Sequence, residues 1–141
     1  SAEQRYAYLL KQVMETQKIW ILTDEHGCVM LNTDDEDCVP IWPDEAFANE
    51  WATSEWSDCS AQAIDMSAWI ERWTDGLTGD QVEVVAFPSS DEEGFILSPH
   101  EFEQDLTKKK KQHIEIIFLT IFYEKEPTFS YYIHFIMNSI T

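Results

Sequence analysis

The densest group of side chains able to do chemistry is the acidic run Asp34-Asp35-Glu36-Asp37, whose carboxylates could hold a hard cation through oxygen ligands. Its spacing does not match an EF-hand loop, which alternates its ligands around a central glycine and closes on a glutamate at the twelfth position. The stretch Ser89-x-Asp91-x-Glu93-Gly94 comes nearer, yet its twelfth place is His100 and a strand is expected within it. Both places read first as solvated loops. His26, His100, His113 and His134 are scattered, with no HExxH and no histidine at ligand spacing from a cysteine, so no metal ligand is assigned. Cys28, Cys38 or Cys59 could in principle meet His26 or His100 as a nucleophile, but no local signature supports this. Cys28 and Cys38 fall instead inside strand-like runs, as small core residues. The chain contains no GxGxxG, GxxxxGK[ST] or GxSxG, and its four glycines leave little room for a loop that cradles phosphate. No catalytic residue and no cofactor is assigned, and the balance leans away from an enzyme.

The tryptophans carry a different signal. Trp69 and Trp73 share a helical stripe with Met66 and Ile70 and belong to the core. Trp42 stands at a strand-to-helix corner, and Trp56 lies in a polar connector between Glu55 and Asp58. Aromatic rings set among acids are what a protein-binding surface uses as anchors, with charge steering a basic partner onto them. The candidate binding residues are therefore Trp42, Trp56, Asp35, Glu36 and Asp37. A core or lid role is favoured over the anchor role for Trp42 and stands level with it for Trp56.

The elements that must position these residues follow from periodicity and punctuation. Tyr6, Leu9, Leu10, Val13 and Met14 recur at helical spacing and predict a helix over 2–16. Three β-like runs at 19–23, 28–32 and 38–42 predict an antiparallel meander, with the third at an edge or bulged because Pro40 cannot donate to a ladder. Pro43, Asp44 and Glu45 suit the first turn of a helix that buries Phe47 and Trp51 and ends near Ala52. Asp65 is placed to cap a helix carrying Met66, Trp69, Ile70 and Trp73 and stopped by Gly76. Strands are expected at 81–87 and 94–97. Ser98-Pro99-His100-Glu101 then forms a capping box opening a helix with Phe102 and Leu106 inside. The fold class is α+β: a single domain with a mixed or antiparallel sheet of about five short strands packed by N-terminal, middle and C-terminal helices.

Composition sets the outer limits. With 141 residues, 44% hydrophobic and 13% aromatic, there is enough apolar material for one core, which argues against an acidic disordered tail. The 27 acidic and 9 basic side chains give a net charge of -18, which disfavours direct binding to nucleic acid or to an anionic membrane. Basic proteins and cations remain as partners. The first residues carry no secretory pattern, no glycosylation sequon occurs, and three cysteines without CxxC spacing make no disulfide framework, so a cytoplasmic protein is expected. The longest apolar stretch, 116–123, is far shorter than the roughly 20 residues of a membrane helix.

Residues 1–107 hold 24 acidic and 4 basic side chains, net -20, whereas 108–141 contain Lys108 to Lys111 and Lys125 against three glutamates, net +2. The chain is accordingly divided into an acidic α+β domain at 1–111 and an atypical hydrophobic, β-prone tail at 112–141. Two readings stand for the tail. One is a hairpin around Glu124-Lys125-Glu126-Pro127, added to the sheet or shared with a second copy in a homodimer. The other is a read-through from AT-rich sequence beyond a lost stop codon.

The order of motifs resembles a family. The Gln4-Arg5-Tyr6 helix, Trp20-x-Leu22-x-Asp24 with Gly27, Val39-Pro40-Ile41-Trp42-Pro43 running into Phe47-Ala48, Trp69-x-x-x-Trp73, and Phe87-Pro88 leading to Leu97-Ser98-Pro99 are similar to the small bacterial family called domain of unknown function 2750. The resemblance covers about residues 2–108. It implies a single α+β domain of the bacterial cytoplasm with no assigned activity, hence no catalytic residues to carry over. Three functions are expected in turn: a non-catalytic interaction module, antitoxin-like or regulatory, that captures a basic protein; a small carboxylate or metal-dependent enzyme using Asp24, Asp35 and Asp37 around one cation; and a nucleic-acid mimic whose carboxylates imitate phosphates.

Overall fold

In the computed structural model, which describes residues 1–33, 35–122 and 129–139, the stripe of Tyr6, Leu9, Leu10, Val13 and Met14 is buried along one face of helix α1 (Ala2–Thr16). Its start is closed by a capping box in which Ser1 Oγ accepts from the Gln4 backbone N–H and Gln4 Oε1 accepts from the Ser1 amino group. Gln17 then takes a left-handed conformation, φ 61°, and its N–H closes the last turn on Val13 O.

The chain next builds two small sheets. Strands β1 (Lys18–Asp24) and β2 (Gly27–Cys28) pair antiparallel around a tight turn, and β1 also pairs with β5 (Ser60–Asp65), giving the order β2-β1-β5. Strands β3 (Leu31–Asn32), β4 (Asp37–Ile41), β6 (Val82–Ala86) and β7 (Phe95–Leu97) form the second sheet in that order, with β4 and β6 parallel. The expected run 28–32 is thus not one strand. It breaks at Val29 and Met30 because its first half pairs with β1 and its second half with β4, so the meander is divided between two sheets. A bridge between Trp20 and Trp42, with N–H···O bonds of 3.0 and 2.9 Å in both directions, joins the sheets. β4 is an interior strand, yet β3 pairs only with Asp37 and Cys38, so Pro40 falls where that side of the ladder has already ended.

Helix α2 (Glu45–Trp51) starts two residues later than expected, with Pro43 outside it and Asp44 as its cap: Asp44 Oδ1 accepts from Phe47 N–H at 2.9 Å. Asp65 does not cap the next helix. Its carboxylate is taken by the Lys18 ammonium across the β1–β5 ladder. That helix runs through Gly76, as α3 (Met66–Ala68), a π-helical turn (Trp69–Trp73) and α4 (Thr74–Gly79). In the wider turn, Trp69 and Trp73 stack 5.0 Å apart, and Trp69 meets Phe102 edge-on at 5.7 Å.

Two compact units result, Ser1–Asp105 and Leu106–Thr141. Helix α5 (Pro99–Phe122) opens as expected, with Ser98 Oγ accepting from Glu101 N–H at 3.1 Å and Pro99 in the first position. The β-prone tail is corrected: residues up to Phe122 continue α5, and α6 (Phe129–Ser139) is also helical, so no hairpin forms among the described residues. The Glu124-to-Pro127 turn lies outside them. Between Pro99 and Pro127 the sequence has neither glycine nor proline, so a helix nucleated at Ser98 meets no stop. Isoleucine and phenylalanine cost only a few tenths of a kcal/mol each as that helix propagates, less than starting a new hairpin. In the C-terminal unit, His134 Nδ1 and Glu115 Oε1 lie 2.7 Å apart. Among the described residues, no helix is long and apolar enough to cross a membrane.

Candidate functional site

The N-terminal unit carries a cleft of about 420 Å³ where three segments converge: Arg5 from α1, Phe47 to Trp56 from α2 and the 3₁₀ turn Ser54–Trp56, and the loop 87–91 that follows β6. Phe47, Trp51, Trp56 and Phe87 supply apolar wall, Glu50, Glu55 and Asp91 supply charge, and Thr53, Ser54, Ser89 and Ser90 supply hydroxyls. Its size and mix of apolar wall with convergent polar groups are those of a ligand cleft.

The floor is a packed aromatic layer. Leu22, Val29, Trp42, Ala48 and Phe87 form a buried cluster, and Trp20, Phe47, Trp51 and Trp56 pack half-buried against it. Phe47 and Phe87 meet edge-on at 4.7 Å, and Trp42 lies 5.9 Å from Trp51. Phe87 is in the left-handed region at φ 53°, where a bulky side chain costs on the order of 1–3 kcal/mol. Four contacts hold it there: its N–H donates to Ile41 O at 2.8 Å, its carbonyl accepts from Arg5 Nε at 2.9 Å, and its ring lies beneath the Arg5 guanidinium at 3.7 Å and against Phe47. Ser54, which also lines the cleft, is left-handed as well at φ 54°. The Trp51 indole N–H is closed off from solvent without an acceptor, a cost of about 1–3 kcal/mol at the same wall.

The expected binding residues are separated by the fold. Trp42 is 1% exposed, and its Nε1 donates to Pro88 O at 3.0 Å, so it is a core residue that fixes the cleft loop and not a surface anchor. β4 ends at Ile41, and the Trp42 backbone that follows bridges to Trp20 while its ring packs in the buried cluster with Leu22, Val29, Ala48 and Phe87. Trp56 is half-buried on the cleft wall. Asp35, Glu36 and Asp37 sit at the other end of β4 from Trp42, about 16 Å along a strand of this rise, and do not line the cleft. Their loop is closed by Thr33, whose Oγ1 donates to Glu36 O and accepts from Glu36 N–H, both at 3.0 Å. Asp37 accepts from Asn32 Nδ2 at 2.5 Å, and Asp24 accepts from the His26 backbone N–H at 2.8 Å. Asp34 lies outside the described residues. Among those described, no three His, Cys, Asp or Glu side chains gather closely enough to hold a metal ion.

All three cysteine thiols lie above their ordinary range. Burial pushes the Cys38 thiol up to about 11, with Glu36, Glu83 and Asp37 adding to it. Burial also raises Cys28 and Cys59, helped in each case by Asp24.

Sequence reasoning missed Arg5, Phe47 and Phe87 as cleft residues. Arg5 did carry a signal: it precedes Leu9 by four residues, so it lies along the border of the buried stripe where a long side chain can reach over the core edge. No curated protein matches the chain. A family model described as protein of unknown function (DUF2750) matches residues 6–106, which hold α1 from Tyr6 onward, both sheets and every cleft residue but Arg5, and the chain belongs to that family.

Proposed function

We propose that this protein is a non-catalytic interaction module, antitoxin-like or regulatory, that captures a basic protein in the bacterial cytoplasm through the aromatic cleft. One observation carries this: Phe47, Trp51, Trp56 and Phe87 share a cleft with Glu50, Glu55 and Asp91, in a chain of net charge -18. The half-buried rings of Phe47, Trp51 and Trp56 supply contact area at small cost in side-chain freedom, and surrounding carboxylates speed encounter with a positive partner. Asp35, Glu36 and Asp37, on the far end of β4, act at long range by steering.

The test is capture from host lysate by the full chain, followed by titration of the recovered protein against wild type and Trp56→Ala. Salt-sensitive binding that Trp56→Ala weakens by about tenfold supports the proposal. Recovery of nothing at low salt, or binding indifferent to both salt and Trp56, defeats it.

A further inference from the structure

We infer that the cleft receives the carboxyl-terminal end of the partner's chain, with the terminal carboxylate held end-on by the two Nη groups of Arg5. The inference rests on the cleft being the docking site proposed above.

Among the described residues Arg5 is the one basic side chain lining the cleft, and residues 1–107 contain just three others. In so acidic a domain an arginine is expected to find a carboxylate, yet among the described residues none pairs with it. Its position is nonetheless fixed. Nε is committed to Phe87 O at 2.9 Å, and the guanidinium plane is held over the Phe87 ring at 3.7 Å. A guanidinium has five donors in a rigid fork, so committing Nε leaves the end-on Nη pair, whose spacing matches a carboxylate's two oxygens. This is a preorganised donor pair beside an apolar wall.

The same cleft excludes most anions. Glu50, Glu55 and Asp91 line it, so a bare phosphate or an acidic segment meets more repulsion than Arg5 can offset. An anion gains there only if it arrives with its own positive charge and with something for the rings to cover. The end of a basic polypeptide meets all three needs: its terminal carboxylate on Arg5, its last side chain against Phe47, Trp51 and Trp56, and an upstream lysine or arginine against the rim acids. A free amino acid carries the same carboxylate next to the same side chain but lacks the upstream cation.

The experiment measures binding of the full chain to short labelled peptides with lysines upstream and each residue type in turn at the end, every peptide made as free acid and as carboxyl-terminal amide. The expected result is that the best free acids bind about tenfold tighter than their amides. Arg5→Gln removes that difference, whatever it does to the binding of both forms through the loss of its contacts to Phe87, and Arg5→Lys restores part of it. Because the acid-to-amide ratio is read in wild type, a folding defect in Arg5→Gln does not blunt the test. Equal binding of acids and amides overturns the inference, as does failure of every free acid to bind. If acids and amides bind equally but Trp56→Ala weakens both, the docking site stands and the carboxylate contact falls. If Trp56→Ala weakens neither, the docking site itself falls. Free lysine or leucine competing as strongly as the peptides overturns the polypeptide end as occupant.

Discussion

Replacing Tyr6 by Phe removes one atom whose role is well defined. Tyr6 Oη donates to Asp105 Oδ2 at 2.5 Å, joining α1 to the first turns of α5 across 99 residues of sequence. The ring itself stacks on Phe95 at 5.0 Å and tilts against Phe102 at 6.5 Å, contacts that Phe keeps. What is lost is a hydrogen bond to a charged acceptor, worth about 1.5–3 kcal/mol, less whatever water recovers at the half-buried Asp105. A cost of about 1–2 kcal/mol follows, or roughly 5–15 °C in Tm for a unit of this size. The sign of the pH dependence gives a second handle. Burial, and then the Asp105 carboxylate, hold the Tyr6 hydroxyl well above its usual range. In the unfolded chain the phenol ionises near pH 10 while the folded one stays protonated, so this stabilisation is complete below pH 10 and drains away as pH rises beyond it. Urea denaturation of wild type and Tyr6→Phe at pH 7, 9 and 10.5 measures both effects, and the gap between the two curves should narrow at the highest pH. A cost under about 0.5 kcal/mol at pH 7, with parallel curves into the alkaline range, would refute the assignment of Asp105 as the acceptor that matters.

Three further outcomes follow from burial and backbone geometry. Trp42→Ala should cost about 3–5 kcal/mol, because it empties a buried site and strands Pro88 O, while half-buried Trp56→Ala should cost at least about 2 kcal/mol less; similar denaturation midpoints for the two would contradict the core placement of Trp42. Gly94 and Gly27 both have positive φ, but a Cβ at Gly94 would meet Val85 Cγ2 at 2.9 Å and Ala86 O at 3.0 Å, whereas at Gly27 it meets nothing within 4 Å. Gly94→Ala should therefore lower stability by about 2 kcal/mol or more and Gly27→Ala by about 1, and thermal melts that rank them the other way would count against the β6–β7 turn. With its thiol near 11, Cys38 is about one part in a thousand thiolate at pH 8, so a disulfide reagent should reach it only on unfolding. Rapid labelling of Cys38 in the native protein would show that β4 is more open than its burial implies.

Local features were legible wherever one segment contains its own reason. The α1 stripe, the Ser98-Pro99 start of α5 and the strands around Val84 and Ile96 each rest on spacing, caps and turn residues that neighbours in sequence supply. Strand β5 was hidden, because Ser60-Ala61-Gln62-Ala63-Ile64-Asp65 is nearly polar and becomes a strand by pairing with β1. The tail was misjudged for the opposite reason: its β-prone composition was plain, but an uninterrupted helix arriving from Ser98 outweighed it.

What the sequence alone determined is the α+β class, the acidity, the apolar stripes and the family, since these depend on residue order and type. The cleft belongs to tertiary structure. Arg5, Phe47, Trp56 and Phe87 come from segments up to 82 positions apart, and they meet only because β6 ends beside Ile41, where Phe87 donates to its carbonyl and Arg5 reaches the carbonyl of Phe87. Trp42 and Trp56 look alike in sequence, each a tryptophan beside acids and turns, but one enters a sheet bridged to Trp20 and the other a short 3₁₀ turn. Burial is decided by what covers a residue from elsewhere in the chain, and periodicity carries no information about that.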